Sequence, residues 1–295
     1  MVFRLAFYWK LTEYSPIDIK TLAGRVSPKL GKIIPGFVYR RLEKVLHIED
    51  LNEFFEKHND DAPQDFLDAV VERLDLKLEF DGDEEALKAL RGKSVMFVSN
   101  HPYGGPEAML LFDWIHFHFP DSRLVAQSFL KFIKPLGKTC VYNKKDVGTL
   151  SDAVQNKTSL LIYPAGYCSR MLSIGEVFDY DWKASFIKIA RKNNMPIVVF
   201  HTDGQLSKRM HRWTKFRRFF HIKTSIETIF LVDEMFRLSG KTIRVTIGDI
   251  IDPSRFSDDI ADKQWSARLR QYCFELGKNP RLGFSYDRKA TLPER

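Results

Sequence analysis

The chain has 295 residues, 44% of them apolar, enough to bury a sizeable core in one large domain or two small ones. Lysine and arginine number 46 against 38 aspartate and glutamate, a formal charge of +8, which suits a partner carrying phosphate or carboxylate without choosing among nucleic acid, an anionic bilayer and an acidic carrier. Cys140, Cys168 and Cys273 are far apart and form no Cys-x-x-Cys, so neither a disulfide framework nor a zinc cluster is signalled, and no run of about 18 apolar residues offers a membrane-crossing helix.

The opening stretch MVFRLAFYWKLTEY carries charges inside its apolar run and lacks a small-residue cleavage site, which makes it a poor signal peptide and a possible membrane contact. Residues 1–75 read as a helical segment packed on an α/β domain over 76–295. LGKIIPGFVYRRLEKVL has helical apolar spacing interrupted by Pro35, and IEDLNEFFEKH is acidic early and basic late, the order a helix dipole favours. Phe66, Val70 and Leu74 recur every fourth position on one face of a third helix. From residue 76 the texture changes: LKLEF, SVMFVS, RLVAQ, SLLIYP, MPIVVFH and TIRVTIGD are short strand-like runs. Helix-length stretches, PEAMLLFDWIHFHF and DWKASFIKIARKNN, fall between several of them. This alternation predicts an α/β fold, a mostly parallel central sheet flanked by helices, with an N-terminal helical segment.

SVMFVS ends at Asn100-His101-Pro102, Gly104 and Gly105 permit a sharp turn, and Pro106 suits a first helical position. His101 therefore sits beyond the carboxyl end of a strand, where open α/β sheets bind ligands. Glu107, in the first helical turn, can bring its carboxylate back to the imidazole, fixing the tautomer and leaving the other ring nitrogen to take a proton. The plain alternative is loop punctuation, with Glu107 serving the helix dipole. Two more loops leave apolar segments in the same manner: TCVYNKKD, with Lys144 and Lys145, and IYPAGYCSR, with Arg170 beyond it.

SNHPYGGPEAM, TCVYNKKD, IYPAGYCSR and MPIVVFH, in this order, resemble the blocks of the glycerolipid acyltransferase superfamily (PlsC-like), over roughly residues 45–255. The similarity is nearer to its haemolysin-like branch, which includes lyso-ornithine and lyso-glycine lipid acyltransferases, than to the wider superfamily, with its Asn-His-x4-Asp and Phe-Pro-Glu-Gly-Thr-Arg motifs. The resemblance implies acyl transfer from a thioester, on acyl carrier protein or coenzyme A, to a hydroxyl of a lysolipid. It implies His101 as general base and Glu107 as its orienting partner. Asn100, Gly104, Gly105, Lys144, Ala165, Gly166, Ser169 and Arg170 are the expected substrate-binding set, with backbone donors of the Gly104–Gly105 turn expected at the oxyanion. No metal and no bound cofactor is implied. Glu107 is one methylene longer and one position later than the superfamily aspartate, while Ala165 and Cys168 replace a Glu and an Arg that bind a glycerol-phosphate acceptor. Those losses favour an amino-acid lysolipid over lysophosphatidic acid, with Arg170 as a cation for its carboxylate.

SKRMHRWTKFRRFFHIK, residues 207–223, holds seven Lys or Arg and no acid. As a helix it would place Lys208, Arg209, Arg212, Trp213, Phe216 and Arg217 against an anionic membrane surface, at the cytoplasmic face of the cell membrane. An acidic acyl carrier protein is a second use for it, and a solvated basic face over core aromatics is the plain alternative. No nucleic-acid module accompanies this segment. RGKS at 91–94 lacks the upstream glycine of a P-loop and precedes its strand, and Gly-x-Ser-x-Gly does not occur. Two rivals stay open: Cys168 as the nucleophile of a thioesterase, and an inactive lipid-binding relative. His47, His58, His116, His118, His201, His211 and His221 show no metal-site spacing.

Overall fold

The computed structural model describes residues 17–21, 34–127, 130, 133–137, 139–142, 158–171, 176–219 and 230–292, the side chains of 214–219 excepted. The N-terminal stretch 1–16 and Lys144 lie outside the described residues, as do the side chains of Phe216 and Arg217.

Three helices come first: α1 (Gly36–Val45), α2 (Ile48–His58) and α3 (Pro63–Arg73). Pro35 precedes α1 in extended conformation, and Pro63 opens α3, so each proline that breaks the periodicity marks a helix start. Seven strands then build one sheet: β1 (Lys77–Asp81), β2 (Met96–Ser99), β3 (Arg123–Ala126), β4 (Cys140–Tyr142), β5 (Leu160–Ile162), β8 (Ile197–Thr202) and β9 (Thr242–Ile251). Their order is β1-β9-β8-β2-β5-β3-β4. β9 pairs antiparallel with β8 and parallel with β1, and every other pairing is parallel. The sheet is thus mostly parallel, with two strands at one edge reversed. A small antiparallel ribbon, β6 (Arg170–Met171) with β7 (Val177–Phe178), lies apart from it.

Helices α4 (Glu84–Lys88), α5 (Pro106–His118), α6 (Lys134–Gly137), α7 (Ser185–Asn193), α8 (Lys208–Phe219), α9 (Leu231–Phe236) and α10 (Asp262–Leu276), with a short 3-10 helix at Pro253–Arg255, complete the described elements. The period-two alternation of β2 sends Phe97 to one face and Met96 and Val98 to the other. Phe97 joins a core with Phe66, Leu67 and Val70 of α3 and Leu111, Phe112 and Ile115 of α5. Met96 and Val98 join a second core with Phe186, Ile187 and Ala190 of α7 and Trp265, Leu269 and Tyr272 of α10. Each such large side chain, fully buried, contributes about 1.5–3 kcal/mol. β2 is therefore the central strand, covered on both faces and flanked by β5 and β8. Whatever follows its last residue is held from below.

Candidate active site

Asn100 closes β2 without facing solvent. It is 2% exposed; its amide donates to the Thr202 carbonyl at 2.9 Å, and its Oδ1 accepts from the Thr202 N–H at 2.7 Å. This side chain ties the carboxyl ends of β2 and β8 together, so the chain leaves the sheet at His101 from a fixed point. Gly104 then turns at φ +92°, and a Cβ there would run into the Cys168 sulfur. Both the backbone angle and the close approach require glycine. Gly105 has open space where its Cβ would stand.

Pro106 begins α5, and Glu107 in its first turn is 1% exposed. Its Oε1 accepts from the N–H groups of Tyr103 (3.1 Å) and Gly104 (2.9 Å), and its Oε2 from that of Gly105 (3.2 Å). The same Oε1 stands 2.9 Å from His101 Nδ1. Burial pushes this carboxyl up, but the imidazole and the backbone donors overcome it and hold it below the usual carboxylate range. A carboxylate only accepts hydrogen bonds, so this contact favours the tautomer with its proton on Nδ1, and in that neutral tautomer Nε2 keeps its lone pair. Nδ1 is buried while the side chain as a whole keeps 14% exposure, so the accessible part of the ring belongs to its other atoms. The Tyr163 ring lies against the imidazole with centroids 4.3 Å apart. The pair is a charged orienting group, a positioned imidazole and a basic nitrogen on its far side.

The expectation that Gly104 and Gly105 N–H groups face an oxyanion is corrected: both are taken by Glu107, whose longer arm folds back over the turn. Ala165 is buried in the core beside Trp182 and Phe186. Ser169 is buried too, its hydroxyl 2.6 Å from Asp179 Oδ1. Arg170 is 6% exposed, with Nη1 donating to the carbonyls of Cys168 and Ser169, so its guanidinium is buried against its own loop. Gly166 is half-buried: it turns at φ +70°, its carbonyl accepts from Gln127 at 2.8 Å, and an added Cβ would stand 3.1 Å from Lys183 Nζ.

Cys168 packs against Gly104 and joins a small apolar cluster with Leu206 and Met210. Burial pushes its thiol up, which removes the thiolate a thioesterase nucleophile needs. A second line, Cys273 Sγ 4.0 Å from His201 Nδ1 with His201 Nε2 3.3 Å from Asp203, has the residues of a thiol triad. Cys273 is fully buried and its thiol is likewise raised, so it is a core residue.

Met210, on the first turn of α8, seats the basic helix on Cys168 and so beside the His101 turn. Lys208 and Arg212 are exposed, and Trp213 is 39% exposed, stacked on Phe230. Arg209 departs from the expected set: it pairs with Asp233 of α9 and lies over the Phe230 ring. Helix α8 runs through Phe216 and Arg217. Among the described residues no cluster of His, Cys, Asp and Glu could hold a metal, and no helix is long and apolar enough to cross a membrane.

Sequence reasoning missed the residues behind His101: Tyr163, Asp179, Trp182 and Arg270. Nothing in VFDYDW distinguishes Asp179 from Asp181, and only the fold brings the first beneath the histidine.

Comparison with known proteins adds a family model described as Acyltransferase, which matches residues 20–271. The lyso-glycine lipid O-acyltransferase of Bacteroides thetaiotaomicron is 30% identical over 268 residues, 88% of this chain and 97% of that protein. The lyso-glycine lipid O-acyltransferase of Phocaeicola vulgatus is 29% identical over 268 residues, 88% of this chain and 95% of its own. The crystal structure of the 1-acyl-sn-glycerophosphate acyltransferase PlsC from Thermotoga maritima aligns over 94% of this chain and 95% of that one, at 14% identity and a TM-score of 0.42.

Proposed function

The chain is an enzyme of the acyltransferase family, and from that premise we propose that it moves a fatty acyl group from an acyl thioester to the hydroxyl of an amino-acid lysolipid, a lyso-glycine lipid by analogy with its relatives. The observation that carries this reading is the 2.9 Å approach of His101 Nδ1 to the buried Glu107 carboxylate. His101 Nε2 takes the acceptor's hydroxyl proton as its oxygen attacks the thioester carbonyl. Glu107 stabilises the imidazolium that forms. Collapse of the tetrahedral intermediate breaks the carbon–sulfur bond, and the proton leaves on the thiol of acyl carrier protein or coenzyme A. The chemistry needs no bound cofactor.

A lyso-glycine lipid carries a carboxylate, which calls for a cation near the reacting hydroxyl. Arg170 is buried on main-chain carbonyls, and Arg270 on the Asp179 carbonyl and Asp181. Lys183 is exposed beside Gly166, and no carboxylate among the described residues pairs with it, which supports Lys183 as that cation. The exposed Lys208, Arg212 and Trp213 of α8, close to the His101 turn, support a peripheral seat on the anionic cytoplasmic face of the membrane, where a lysolipid resides.

His101→Ala tests the mechanism. With acyl thioester and extracted lysolipids, its turnover is expected to fall by about 10²–10⁴-fold, the usual contribution of a general base. Unchanged turnover would reject His101 as the base, and a parent protein without turnover would leave lipid binding without catalysis. Lys183→Ala is expected to raise KM for a carboxylated lysolipid while leaving KM for the thioester unchanged; equal KM values for the lysolipid dismiss Lys183 as its cation.

A further inference from the structure

Below the imidazole, the main chain of His101 is held at both of its polar atoms. Its N–H donates to Asp179 Oδ1 at 3.3 Å, and its carbonyl accepts from the Ser169 N–H at 2.8 Å. Ser169 in turn donates its hydroxyl to the same Asp179 Oδ1 at 2.6 Å. The second oxygen, Oδ2, accepts from the Trp182 indole at 2.8 Å, and the Asp179 carbonyl accepts from Arg270 Nη2 at 2.6 Å. Asp179 is fully buried. It follows β7, directly after the ribbon that begins at Arg170, so its carboxylate joins three separate segments: the loop after β2, the loop after β5 and the start of α7.

We propose that Asp179 is a positioning residue of the acyl transfer, fixing the backbone of His101 from below while Glu107 fixes its ring from the side. The proposal rests on His101 being the base. Asn100 holds the residue before His101 and Glu107 holds the turn after it, and an imidazole oriented by these alone could still tip if the main chain of His101 between them shifted. Two anchors at opposite ends of the residue remove this freedom. A base displaced by about 1 Å loses on the order of 10²-fold in rate. Burial holds this carboxyl above its usual range, and the donors from Ser169, Trp182 and His101 offset only part of that rise.

Asp179→Asn is the informative change. The amide oxygen still accepts from Ser169 and His101, but its NH2 group meets the Trp182 N–H, donor against donor, and the side chain must shift. The expected result is kcat lowered by about 10–100-fold per folded molecule, with KM for thioester and lysolipid unchanged. Trp182→Phe alone lowers kcat only a few-fold, and the double variant is faster than Asp179→Asn, because the opposing donor has gone. Ser169→Ala covers the case in which the asparagine variant does not fold: it loosens the same carboxylate and lowers kcat with KM unchanged. A folded Asp179→Asn protein with parental kcat, or with its loss confined to KM, overturns the proposal, and so does a Ser169→Ala protein with parental kcat. If His101→Ala is inactive while Asp179→Asn is not impaired, only this inference fails; if His101→Ala is fully active, the mechanism itself fails.

Discussion

Glu107 stands one position later than the aspartate of the motif it resembles, and its extra methylene closes that gap. The carboxylate leaves the first turn of α5, reaches back to His101 Nδ1 and collects the N–H groups of Tyr103, Gly104 and Gly105 on the way. Glu107→Asp shortens that arm and is expected to lower kcat by at least about 10-fold, since it cannot hold both the turn and the ring. Glu107→Gln is expected to cost about 10²-fold or more, because an amide offers one acceptor where the carboxylate offers two and allows the wrong imidazole tautomer. Steady-state turnover of both variants checks this; a glutamine variant at parental rate would show that the ring needs no carboxylate. Cys168 is a matter of packing. Gly104→Ala, at φ +92° and against the Cys168 sulfur, is expected to destabilise the protein by about 1–3 kcal/mol. Cys168→Ala is expected to keep near-parental turnover, and an inactive but folded Cys168→Ala would restore the thiol as a participant.

Among elements, α5 matters most because it carries Glu107 at one end. Farther along its length Asp113 faces Asp68 and Gln64 of α3, with Gln64 bonded to both carboxyls. Burial, and then the neighbouring Asp68, push the Asp113 carboxyl up to about 7 from an ordinary 3.8. The folded chain therefore keeps a proton that the unfolded chain releases. The contribution to stability is complete below the unfolded value and is lost as pH rises through about 7. Asp113→Asn is expected to raise the unfolding midpoint at pH 8 and to leave it nearly unchanged at pH 4. Thermal melts across that range check it, and equal midpoints at pH 8 would mean that Asp113 ionises without cost. Six strands announce themselves in the sequence by short β-branched or aromatic runs. β4 does not, because Cys140–Tyr142 is too short to show a period and leads into a basic stretch. α10 was legible and missed: Trp265, Leu269, Tyr272, Cys273 and Leu276 have helical spacing, and all are buried.

At the scale of the molecule, the net charge of +8 bears on function through where the free cations lie. Arg209 and Arg237 are occupied by Asp233, and Arg191 by Asp258 and Asp262. Lys208 and Arg212 are exposed on the helix seated beside the His101 turn. If α8 rests on the membrane, replacing both by alanine weakens binding to anionic vesicles by roughly fivefold for each charge, about 1 kcal/mol apiece, and leaves binding to neutral vesicles unchanged. Raising the salt concentration should erase the difference. Vesicle sedimentation reads both effects, and equal binding to neutral and anionic vesicles by the parent protein would dismiss α8 as an electrostatic anchor.

What the sequence by itself determined is local. Apolar period and turn residues mark β2, the glycine turn and α5, and since Glu107 follows His101 by only six positions, their meeting could be read from one strand–turn–helix unit. The tertiary structure decided everything that depends on partners far along the chain. Asp179 reaches the His101 backbone across 78 positions, and Asn100 reaches Thr202 across 102. Arg170 and Arg209 look like free cations in the sequence and find partners in the fold, one in carbonyls of its own loop and the other in Asp233. The reason is physical: a side chain's hydrogen-bond partner is chosen by through-space geometry after the sheet has formed, and no local pattern of residue types records that choice.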